Sequence, residues 1–230
     1  MSLAVVLPAL NEAAVLLATL RSLLGQSRRP DRIVVVDGGS VDETADIARA
    51  SGAEVLAVAG RGRGGQIAAG VAACTEDIVV VAHADMLFPP TALEAVEQYL
   101  VQHPACPGGC LGHVFDRPRR VVRCIEWWDR RRAQCGDSYG DQAQFFRREL
   151  LLAAGGFPDL PLMEDVELAR RLRRPGRPAY LDVPVVVSAR RYERHGWPRV
   201  AWMNWRLRRL YRRDGEAGAW AAYRRYYRVE

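Results

Sequence analysis

The sequence predicts an α/β fold with a mostly parallel central sheet, helices on both faces and a helical C-terminal segment. Short apolar runs alternate with segments of helical periodicity through the first hundred residues, and these runs are apolar at every position. Strands of this kind are typical of a parallel sheet that helices cover on both sides. The 230 residues are enough for one large core, and no linker or repeat divides them, so we expect one domain.

The first half supplies most of the regular elements. A strand is predicted at 3–7 and a helix at 11–24, where leucines recur on one face. The following predicted elements are a strand at 33–36, a helix from a Ser40–Glu43 capping box to about Ala50, a strand at 54–58, a helix at 66–73, a strand at 78–82 and a helix opened by a Thr91–Glu94 capping box.

The second half is less regular. Its predicted elements are a strand at 142–146, a helix at 147–154, a charged helix at 164–173, a strand at 183–188 and two helical segments from Trp197 onward. Gly155-Gly156 ends the first of these helices, and an acidic pair begins the second.

All 33 basic residues are arginine, and the chain contains no lysine. This excludes P-loop nucleotide hydrolases, protein kinases and Schiff-base enzymes, because each needs a lysine amine. Residues 113–230 hold 26 Arg against 15 acidic residues, whereas residues 1–112 hold 7 against 12. A basic half favours an anionic partner such as a diphosphate, an anionic lipid or a nucleic acid, although a solvated surface explains any single arginine.

Cysteine usage and the first residues bear on the compartment. Five cysteines without a CxxC pair argue against a closed disulfide framework. The first apolar run has no basic leader and stops at Asn11, which predicts a strand rather than a signal peptide. No apolar stretch approaches the roughly 20 residues that span a bilayer. We therefore expect a cytoplasmic protein with reduced thiols.

Polar residues follow three of the predicted strands where each strand ends. Glu12 follows the first, Asp37 the second, and His83 with Asp85 the fourth. Ligands of parallel sheets bind beyond the carboxyl ends of the strands, so we expect these side chains to share one rim. Each residue alone is explained by helix capping or a turn, but carboxylates at one rim repel unless a cation, a ligand or an arginine offsets them.

Three further segments offer binding groups: the glycine-rich stretch 61–66, the acidic pair at the start of the charged helix, and the arginine-rich stretch 188–197. The glycines allow an anionic or nucleotide ligand to approach the backbone. The acidic pair is either functional or a simple helix cap. The arginines favour a diphosphate clamp or an acceptor lid, with a solvated loop as the alternative. Their candidate residues are Arg63, Gln66, Glu164, Asp165, Arg190 and Arg191.

Five short segments carry a resemblance to a known family. They are Val5-Val-Leu-Pro-Ala-Leu-Asn-Glu12, Val34-Val-Val-Asp-Gly-Gly-Ser40, His83-Ala-Asp85, Gly155-Gly-Phe-Pro and Met163-Glu-Asp-Val-Glu167. In this order, over the chain to about Trp197, they resemble the inverting glycosyltransferases of family 2, which have the GT-A fold. Gly140-Asp-Gln142 and Ser188-Ala-Arg-Arg191 are similar to a bacterial subgroup associated with radical-SAM and arsenosugar pathways.

The resemblance implies a role for each candidate residue. The implied roles are nucleotide binding for Pro8, Glu12, Asp37, Arg63 and Gln66, metal binding for Asp85 and His83, catalysis for Asp165 as general base with Glu164 as the competing choice, and contact with the diphosphate or acceptor for Asp141, Gln142, Arg190 and Arg191. His83 replaces the first aspartate of the family's Asp-x-Asp motif. An imidazole ligand there slightly favours Mn²⁺ over Mg²⁺ as the cofactor.

The same resemblance implies a domain layout. A GT-A domain would span 1–196, with a nucleotide-binding half at 1–112 and an acceptor and catalytic half at 113–196, followed by an aromatic and arginine-rich helical segment at 197–230. The expected reaction moves a sugar from a nucleotide-diphosphate donor, expected to be UDP-linked, to a hydroxyl of a small-molecule or lipid acceptor. The expected partners do not include nucleic acid, because no recognised nucleic-acid-binding module is present.

Two other functions stay open. A sugar nucleotidyltransferase has a similar sheet, but needs a glycine-rich loop and a lysine after its first strand, where this chain reads Pro8-Ala-Leu-Asn. A non-catalytic nucleotide- or lipid-binding module of the same fold is the second alternative.

The C-terminal segment suggests a further contact. Residues at helical spacing are Trp197, Val200, Ala201, Asn204, Trp205 and Arg208. Tryptophan with arginine suits a helix at a membrane interface, so we expect peripheral contact with the inner membrane face. The alternative is a helix packed on the catalytic domain or on a second subunit of a homodimer.

Overall fold

A computed structural model describes residues 1–117 and 120–226. Its elements in chain order are β1 (Leu3–Ala9), α1 (Ala13–Leu24), β2 (Arg32–Asp37), α2 (Thr44–Ala50), β3 (Glu54–Ala57), α3 (Gly62–Ala73), β4 (Ile78–Val81), β5 (Met86–Leu87), α4 (Ala92–Gln102), β6 (Gly108–Phe115), α5 (Arg120–Gln134), a 3₁₀ turn (Gly140–Gln142), β7 (Gln144–Arg147), α6 (Arg148–Ala153), α7 (Glu164–Leu172), β8 (Ala179–Val187), α8 (Arg190–His195) and α9 (Trp197–Tyr226).

The strands form one sheet in the order β3-β2-β1-β4-β7-β6-β8-β5. The pairs β3–β2, β2–β1, β1–β4 and β6–β8 are parallel, whereas β7 runs antiparallel to both β4 and β6, and β5 runs antiparallel to β8. This mostly parallel sheet with helices around it confirms the predicted fold class. Because β2, β1 and β4 are neighbours, their carboxyl ends meet at one rim, as predicted.

The core lies on both faces of the sheet, because successive side chains of a strand point to opposite sides. Leu3, Val5 and Leu7 of β1 pack in a cluster with α1 and α4, while Ala4 and Val6 pack in a second cluster with α3 and α7. All seven residues of β1 are buried. This double burial explains why the strand is apolar at every position.

Helix α3 approaches the sheet closely at Gly70. A Cβ there would lie 2.5 Å from Val6 Cγ1, so the contact requires glycine. At the start of the same helix, a Cβ on Gly64 would lie 1.9 Å from the backbone oxygen of Leu160 in the loop before α7. The two contacts bring the first turn of α3, which carries Arg63, between the strand ends and the start of α7.

Several predicted element starts are wrong. Helix α3 and strand β8 begin four residues earlier than predicted, at Gly62 and Ala179. Two further starts fail near candidate site residues. The Ser40–Glu43 capping box does not form: α2 begins at Thr44, and Ser40 Oγ instead accepts a hydrogen bond from Asn11 N–H at 2.9 Å. The predicted strand at 142–146 begins only at Gln144, because residues 140–142 form a 3₁₀ turn. In both cases the residues that the local pattern assigned to a helix or strand form a tertiary contact or a turn instead.

The C-terminal segment contains the two predicted helical pieces, joined at Gly215 with a φ of +57° inside α9; residues 227–230 lie outside the described residues. The helical stripe predicted from the sequence comprises Trp197, Val200, Ala201, Asn204, Trp205 and Arg208. Four of these residues are buried or half-buried, as the alternative of a helix packed on the catalytic domain predicts, whereas Ala201 and Trp205 are exposed. Val200 is fully buried, and Trp197 stacks on Tyr192 at 4.1 Å. In the described ranges no helix is both long and apolar enough to cross a bilayer.

Candidate active site

The rim of the sheet holds the predicted nucleotide-binding residues. Asp37 ends β2, and its carboxylate accepts the backbone N–H groups of Gly39 at 3.3 Å and Ser40 at 3.2 Å. Gln66 of α3 lies against Gly38, where an added Cβ would come 2.1 Å from its Nε2. The structure thus brings Asp37 and Gln66 to one glycine turn. Pro8 lies one strand away in β1, paired with Val36 of β2.

Glu12 and Asp85 lie on either side of Arg190. The Arg190 Nη2 atom is 2.6 Å from Glu12 Oε2 and 3.6 Å from Asp85 Oδ2. Burial raises the pKa of both carboxyls, and the positive charge of Arg190 opposes that rise. The arginine therefore offsets the repulsion between the two carboxylates, which is one of the three solutions that the sequence predicted.

His83 packs against the 3₁₀ turn. A Cβ on Gly140 would lie 2.9 Å from His83 Nε2, so the missing side chain at Gly140 allows the contact. Burial, together with the nearby charge of Arg63, lowers the pKa of the imidazole to about 3 and keeps the ring neutral. Within the described residues, His83 Nε2 has no hydrogen-bond partner. A neutral imidazole in this state can ligate a metal or bond to a substrate.

Gly140 also holds the carboxylate of Asp165. Its N–H donates to Asp165 Oδ2 at 2.8 Å, and Val166 N–H donates to Asp165 Oδ1 at 2.8 Å. Arg63 Nη2 lies 4.0 Å from Asp165 Oδ2. The side chain of Asp165 is 14% exposed and lines the cavity beside His83. Two backbone donors therefore fix a carboxylate that faces the cavity.

Glu164 has a different environment from its neighbour. Its side chain is 1% exposed, and its Oε1 accepts a hydrogen bond from Arg63 Nε at 2.6 Å. Burial raises the pKa of Glu164. The structure therefore separates the predicted catalytic pair, because Glu164 holds Arg63 whereas Asp165 faces the cavity.

One cavity of about 210 Å³ joins the two halves of the chain. The predicted site residues that line it are Arg63, His83, Asp85, Asp141, Asp165 and Arg191. The predicted residues outside its lining are Pro8, Glu12, Asp37, Gln66, Gln142, Glu164 and Arg190. Gln142 is fully buried and closes the 3₁₀ turn, since its Oε1 accepts Tyr139 N–H at 3.1 Å. Of the predicted nucleotide-binding residues only Arg63 lines the cavity, together with the predicted metal ligands His83 and Asp85 and the predicted base Asp165.

Sequence reasoning missed part of the cavity wall. The additional lining residues include Phe115, Tyr139, Tyr192, Leu207 and, from the C-terminal helix, Asn204 and Arg208. Asn204 and Arg208 did carry a signal, because they belong to the helical stripe in the sequence. These two residues line the cavity, which agrees with the predicted alternative of a helix packed on the catalytic domain rather than with the membrane contact.

Three non-glycine residues of the described ranges have a positive φ: Asn11, Ala143 and Met163. Each directly adjoins a predicted site residue, namely Glu12, Gln142 and Glu164. Such conformations cost about 1–3 kcal/mol each and cluster at functional sites, where surrounding contacts hold them. At Asn11 these contacts include its N–H to Ser40 Oγ and Val41 N–H to its Oδ1, both at 2.9 Å.

A second group of titratable residues lies beside the cavity. His113 of β6, Asp129 of α5 and Asp141 of the 3₁₀ turn bring one potential metal-ligand atom each within 4.8 Å of the others. Burial raises the pKa of Asp141. His113 and Asp129 were not predicted, because neither lies in a sequence motif. The burial of His113 in β6 is evident only from the structure, since the sequence did not predict that strand.

The fold and this rim place the chain in a known class. Residues 4–149 match Glycosyl transferase family 2. Because the match covers more than half of the 230 residues, the chain belongs to Glycosyl transferase family 2. This confirms the predicted family and supports the predicted enzyme class, a glycosyltransferase. The bacterial subgroup associated with radical-SAM and arsenosugar pathways stays a prediction. No curated protein matches the chain.

Solved structures show the same fold. TarS of S. aureus, residues 1–349, superposes with a TM-score of 0.68 at 18% identity over 82% of this chain and 61% of that chain. The mannosyltransferase PcManGT of Pyrobaculum calidifontis, in complex with GDP-Man and Mn²⁺, gives 0.68 at 26% identity over 90% of this chain and 60% of that chain. Glucosyl-3-phosphoglycerate synthase of Mycobacterium tuberculosis, with Mn²⁺ and UDP, gives 0.59 at 25% over 80% and 70%.

The chain therefore spans only part of several of these proteins, and 37% of a longer TarS chain.

The donor set at Asp85 fits a divalent cation. The buried His83 Nε2 has no hydrogen-bond partner within the described residues, and Arg190 Nη2 lies 3.6 Å from Asp85 Oδ2, so an ion bound at Asp85 would take over the charge compensation that Arg190 supplies. Asp85 offers a carboxylate, the ligand that Mg²⁺ and Mn²⁺ favour, and His83 offers a neutral imidazole nitrogen.

Proposed function

We propose that the protein transfers a sugar from a UDP-linked donor to an acceptor hydroxyl with inversion at the anomeric carbon. The observation that carries this proposal is the cavity, which Asp85 lines from the first half of the chain and Asp165 from the second. A catalyst of this reaction needs one group at the leaving diphosphate and another at the attacking hydroxyl. Family membership supports a nucleotide sugar as the donor.

The rim of the first half is the proposed nucleotide site. Asp37 and Gln66 flank the turn after β2, and we assign them to the nucleoside, with Pro8, Glu12 and Arg63 as the other contacts. We likewise assign the donor half to 1–112 and the acceptor half to 113–196. Helix α9 adds Asn204 and Arg208 to the cavity lining.

Asp85, with His83 as second ligand, would hold Mn²⁺ or Mg²⁺. When bound, such an ion stabilises negative charge on the departing diphosphate. Arg190 pairs with Glu12 and Asp85, and Arg191 lines the cavity. We assign both arginines to the diphosphate. On donor binding, a phosphate oxygen would replace one carboxylate as the partner of Arg190.

Asp165 is the proposed general base. The acceptor oxygen forms a bond to the anomeric carbon while the bond from that carbon to the diphosphate oxygen breaks. The acceptor proton passes to Asp165, and the nucleoside diphosphate leaves. Asp141, which also lines the cavity, is placed to orient the acceptor, and Gln142 supports the turn that carries it.

A panel of UDP-, GDP- and dTDP-sugars, each with and without Mn²⁺, tests the proposal. We expect a UDP-sugar to give the largest rise in melting temperature and to be hydrolysed slowly without an acceptor. If a GDP-sugar gives the larger rise in melting temperature and the faster hydrolysis, the enzyme class stands but the donor is GDP-linked. Binding without hydrolysis would favour the non-catalytic module. Conversion of the NDP-sugar to a nucleoside triphosphate and a sugar 1-phosphate when pyrophosphate is added would favour a sugar nucleotidyltransferase. The absence of both binding and turnover would contradict the proposal.

We also propose that α9 contacts an anionic membrane surface through Trp202 and Trp205. The two residues are 57% and 52% exposed. The guanidinium of Arg206 lies 5.3 Å from the Trp202 ring centroid, and that of Arg209 lies 5.5 Å from the Trp205 ring centroid. Paired tryptophan and arginine are typical of interface helices. A second copy of the chain is the alternative partner of this face.

A further inference from the structure

His113, Asp129 and Asp141 form a cluster beside the cavity. His113 Nε2 lies 3.7 Å from Asp129 Oδ2 and 4.0 Å from Asp141 Oδ2. A strand, a helix and a 3₁₀ turn supply one residue each. The cluster therefore exists only in the folded chain.

Hydrogen bonding does not account for this arrangement. Both separations exceed the usual limit of about 3.2 Å for N–H···O bonds. The side chain of His113 is 1% exposed, and neither its Nε2 nor Asp141 Oδ1 has a hydrogen-bond partner within the described residues. Buried polar atoms nearly always have a partner, so these two call for a specific explanation.

We propose that His113, Asp129 and Asp141 bind a divalent transition-metal ion at a site separate from Asp85. Nitrogen and carboxylate ligands stand about 2.0–2.2 Å from such an ion, so two ligand atoms of a tetrahedral site lie roughly 3.3–3.6 Å apart. The distances of 3.7 and 4.0 Å exceed this range by a few tenths of an ångström. The longest separation in the cluster, at most 4.8 Å, has to shorten by roughly 1.2 Å through side-chain rotation when the ion binds.

The ligand chemistry favours Zn²⁺. One imidazole with two carboxylates suits Zn²⁺ better than Mg²⁺ or Ca²⁺, which prefer oxygen ligands alone. Arg132 Nη2 lies 2.8 Å from Asp129 Oδ1, which leaves Oδ2 towards His113 and fixes the orientation of the carboxylate. Three protein ligands leave at least one position for water or for an oxygen of a bound molecule.

The position of the cluster gives the ion a consequence for the cavity. Asp141 directly follows Gly140, whose N–H donates to Asp165 Oδ2 and whose Cα faces His83. An ion bound by Asp141 would fasten the 3₁₀ turn to β6 and α5 and so hold Gly140 in place. The proposal rests on the cluster itself and stands whichever reaction the cavity carries out.

Calorimetric titration of the metal-free chain with Zn²⁺, without nucleotide, tests the site. We expect the wild type to bind one equivalent at this cluster, in addition to any Zn²⁺ that Asp85 and His83 take up. His113→Gln and Asp129→Asn are expected to weaken binding more than about tenfold, because even residues that only orient a ligand change metal affinity about 10- to 100-fold. His103→Gln is the matched control, since His103 is exposed and stacks on Tyr99. Asp85→Asn is expected to retain the equivalent.

Melting curves with and without Zn²⁺ accompany each titration. An ion that binds the folded state raises the melting temperature, so the wild type and the two control variants are expected to gain stability while His113→Gln and Asp129→Asn do not. If His113→Gln does not fold, the isosteric Asp129→Asn decides. The proposal is overturned if the wild type binds no Zn²⁺, if both cluster variants bind like the wild type, or if Asp85→Asn alone abolishes binding.

Discussion

Asp165 and Glu164 are adjacent in the sequence but have different surroundings, and we therefore assign them different roles. Successive side chains of an α-helix are rotated by about 100°, so neighbouring carboxylates face different surroundings. Glu164 Oε1 is 2.6 Å from Arg63 Nε inside the fold, whereas Asp165 lines the cavity. A general base has to reach the proton that it removes. We therefore give the proposed role of base to Asp165.

Asp165→Asn is expected to lower sugar transfer, or donor hydrolysis in the absence of acceptor, by about 10²–10⁴. The asparagine oxygen can still accept Gly140 N–H, so melting temperature and UDP affinity are expected to stay near wild type. Turnover, a melting curve and a UDP titration are measured on the same preparation.

Asp159→Asn is the matched control for this variant. Asp159 lies in the loop before α7, is exposed and pairs with Arg61 at the surface, so its loss is expected to leave turnover near wild type. If Asp165→Asn keeps more than about a tenth of wild-type turnover, the base is another group and Glu164→Gln is tested next. A lower melting temperature with turnover intact would show that Asp165 only caps its helix.

Substitutions at Asp37 and Asp85 are expected to affect UDP binding differently: the first its metal-independent part, the second its dependence on Mn²⁺. Asp37→Ala removes the carboxylate from the turn after β2, so it is expected to weaken UDP binding roughly 10- to 100-fold with or without Mn²⁺. Asp85→Ala is expected to remove the gain in UDP affinity that Mn²⁺ gives the wild type. Calorimetry with Mn²⁺ and with a chelator measures both terms. Loss of the same metal-dependent term in both variants would contradict this division.

At the scale of elements, Glu167 ties α7 to α9. Its side chain is 5% exposed and accepts hydrogen bonds from Arg170 Nε at 2.7 Å, Arg171 Nε at 3.1 Å and the Tyr211 hydroxyl at 2.6 Å. Burial alone would raise the pKa of Glu167, but these donors lower it to about 2. The helix that carries Asp165 is thereby fastened to the C-terminal helix.

Glu167→Gln is expected to lower the melting temperature at neutral pH by several degrees, because hydrogen bonds to a charged group contribute roughly 1.5–3 kcal/mol. The folded pKa of about 2 lies below the ordinary value of 4.5. The carboxylate therefore stabilises the fold fully above pH 4.5 and loses this effect as the pH falls towards 2. Melting curves from about pH 7 to pH 3 are expected to converge for the two proteins. Glu149→Gln, at an exposed residue of α6, is the control. A pH-independent difference would contradict the role of the charge.

The first half of the fold was predictable because burial on both faces imposes apolar runs on β1, β2 and β4. In the second half the sequence predicted β7, α6, α7, β8 and the helical C-terminal segment, but not β6, α5 or α8. Strand β6 contains Gly108, Gly109 and Gly112 and gave no strand signal. It forms because β7 and β8 pair with it on its two sides. Long-range pairing of this kind overrides local propensity and leaves no periodicity to read.

The same distinction holds for the candidate site. The carboxylates after β2, β1 and β4 were predictable, since parallel strands bring their ends together by geometry alone. The cluster at His113 requires three elements to pack correctly, and no spacing along the chain encodes that. Asn204 and Arg208 carried a helical period, but a period identifies a face without showing what the face contacts.

At the scale of the whole molecule, charge and exposed aromatic residues concentrate in the second half. Residues 113–230 hold 26 Arg against 15 acidic residues. Exposed tryptophans lie on two helices of this half, Trp127 and Trp128 on α5 and Trp202 and Trp205 on α9. The cavity-lining residues of α9 face inward, so the opposite face of the same helix is left for a partner. An anionic lipid surface matches both its charge and its indoles.

The chain is therefore expected to sediment with anionic liposomes and not with neutral ones. Basic residues near such a surface contribute about 1 kcal/mol each, an attraction that salt screens. The double variant Trp202→Ala/Trp205→Ala is expected to lose most of this binding, while Leu152→Ala, which removes an exposed apolar side chain on α6, is expected to retain it. Equal amounts of protein in the pellets of neutral and anionic vesicles, or no protein in either pellet, would contradict the membrane proposal. If the wild type is a dimer in solution and the double variant is a monomer, the partner of this face is a second copy of the chain. Large aromatic side chains at the centre of a protein interface usually dominate its binding energy, so their truncation is expected to abolish such a dimer.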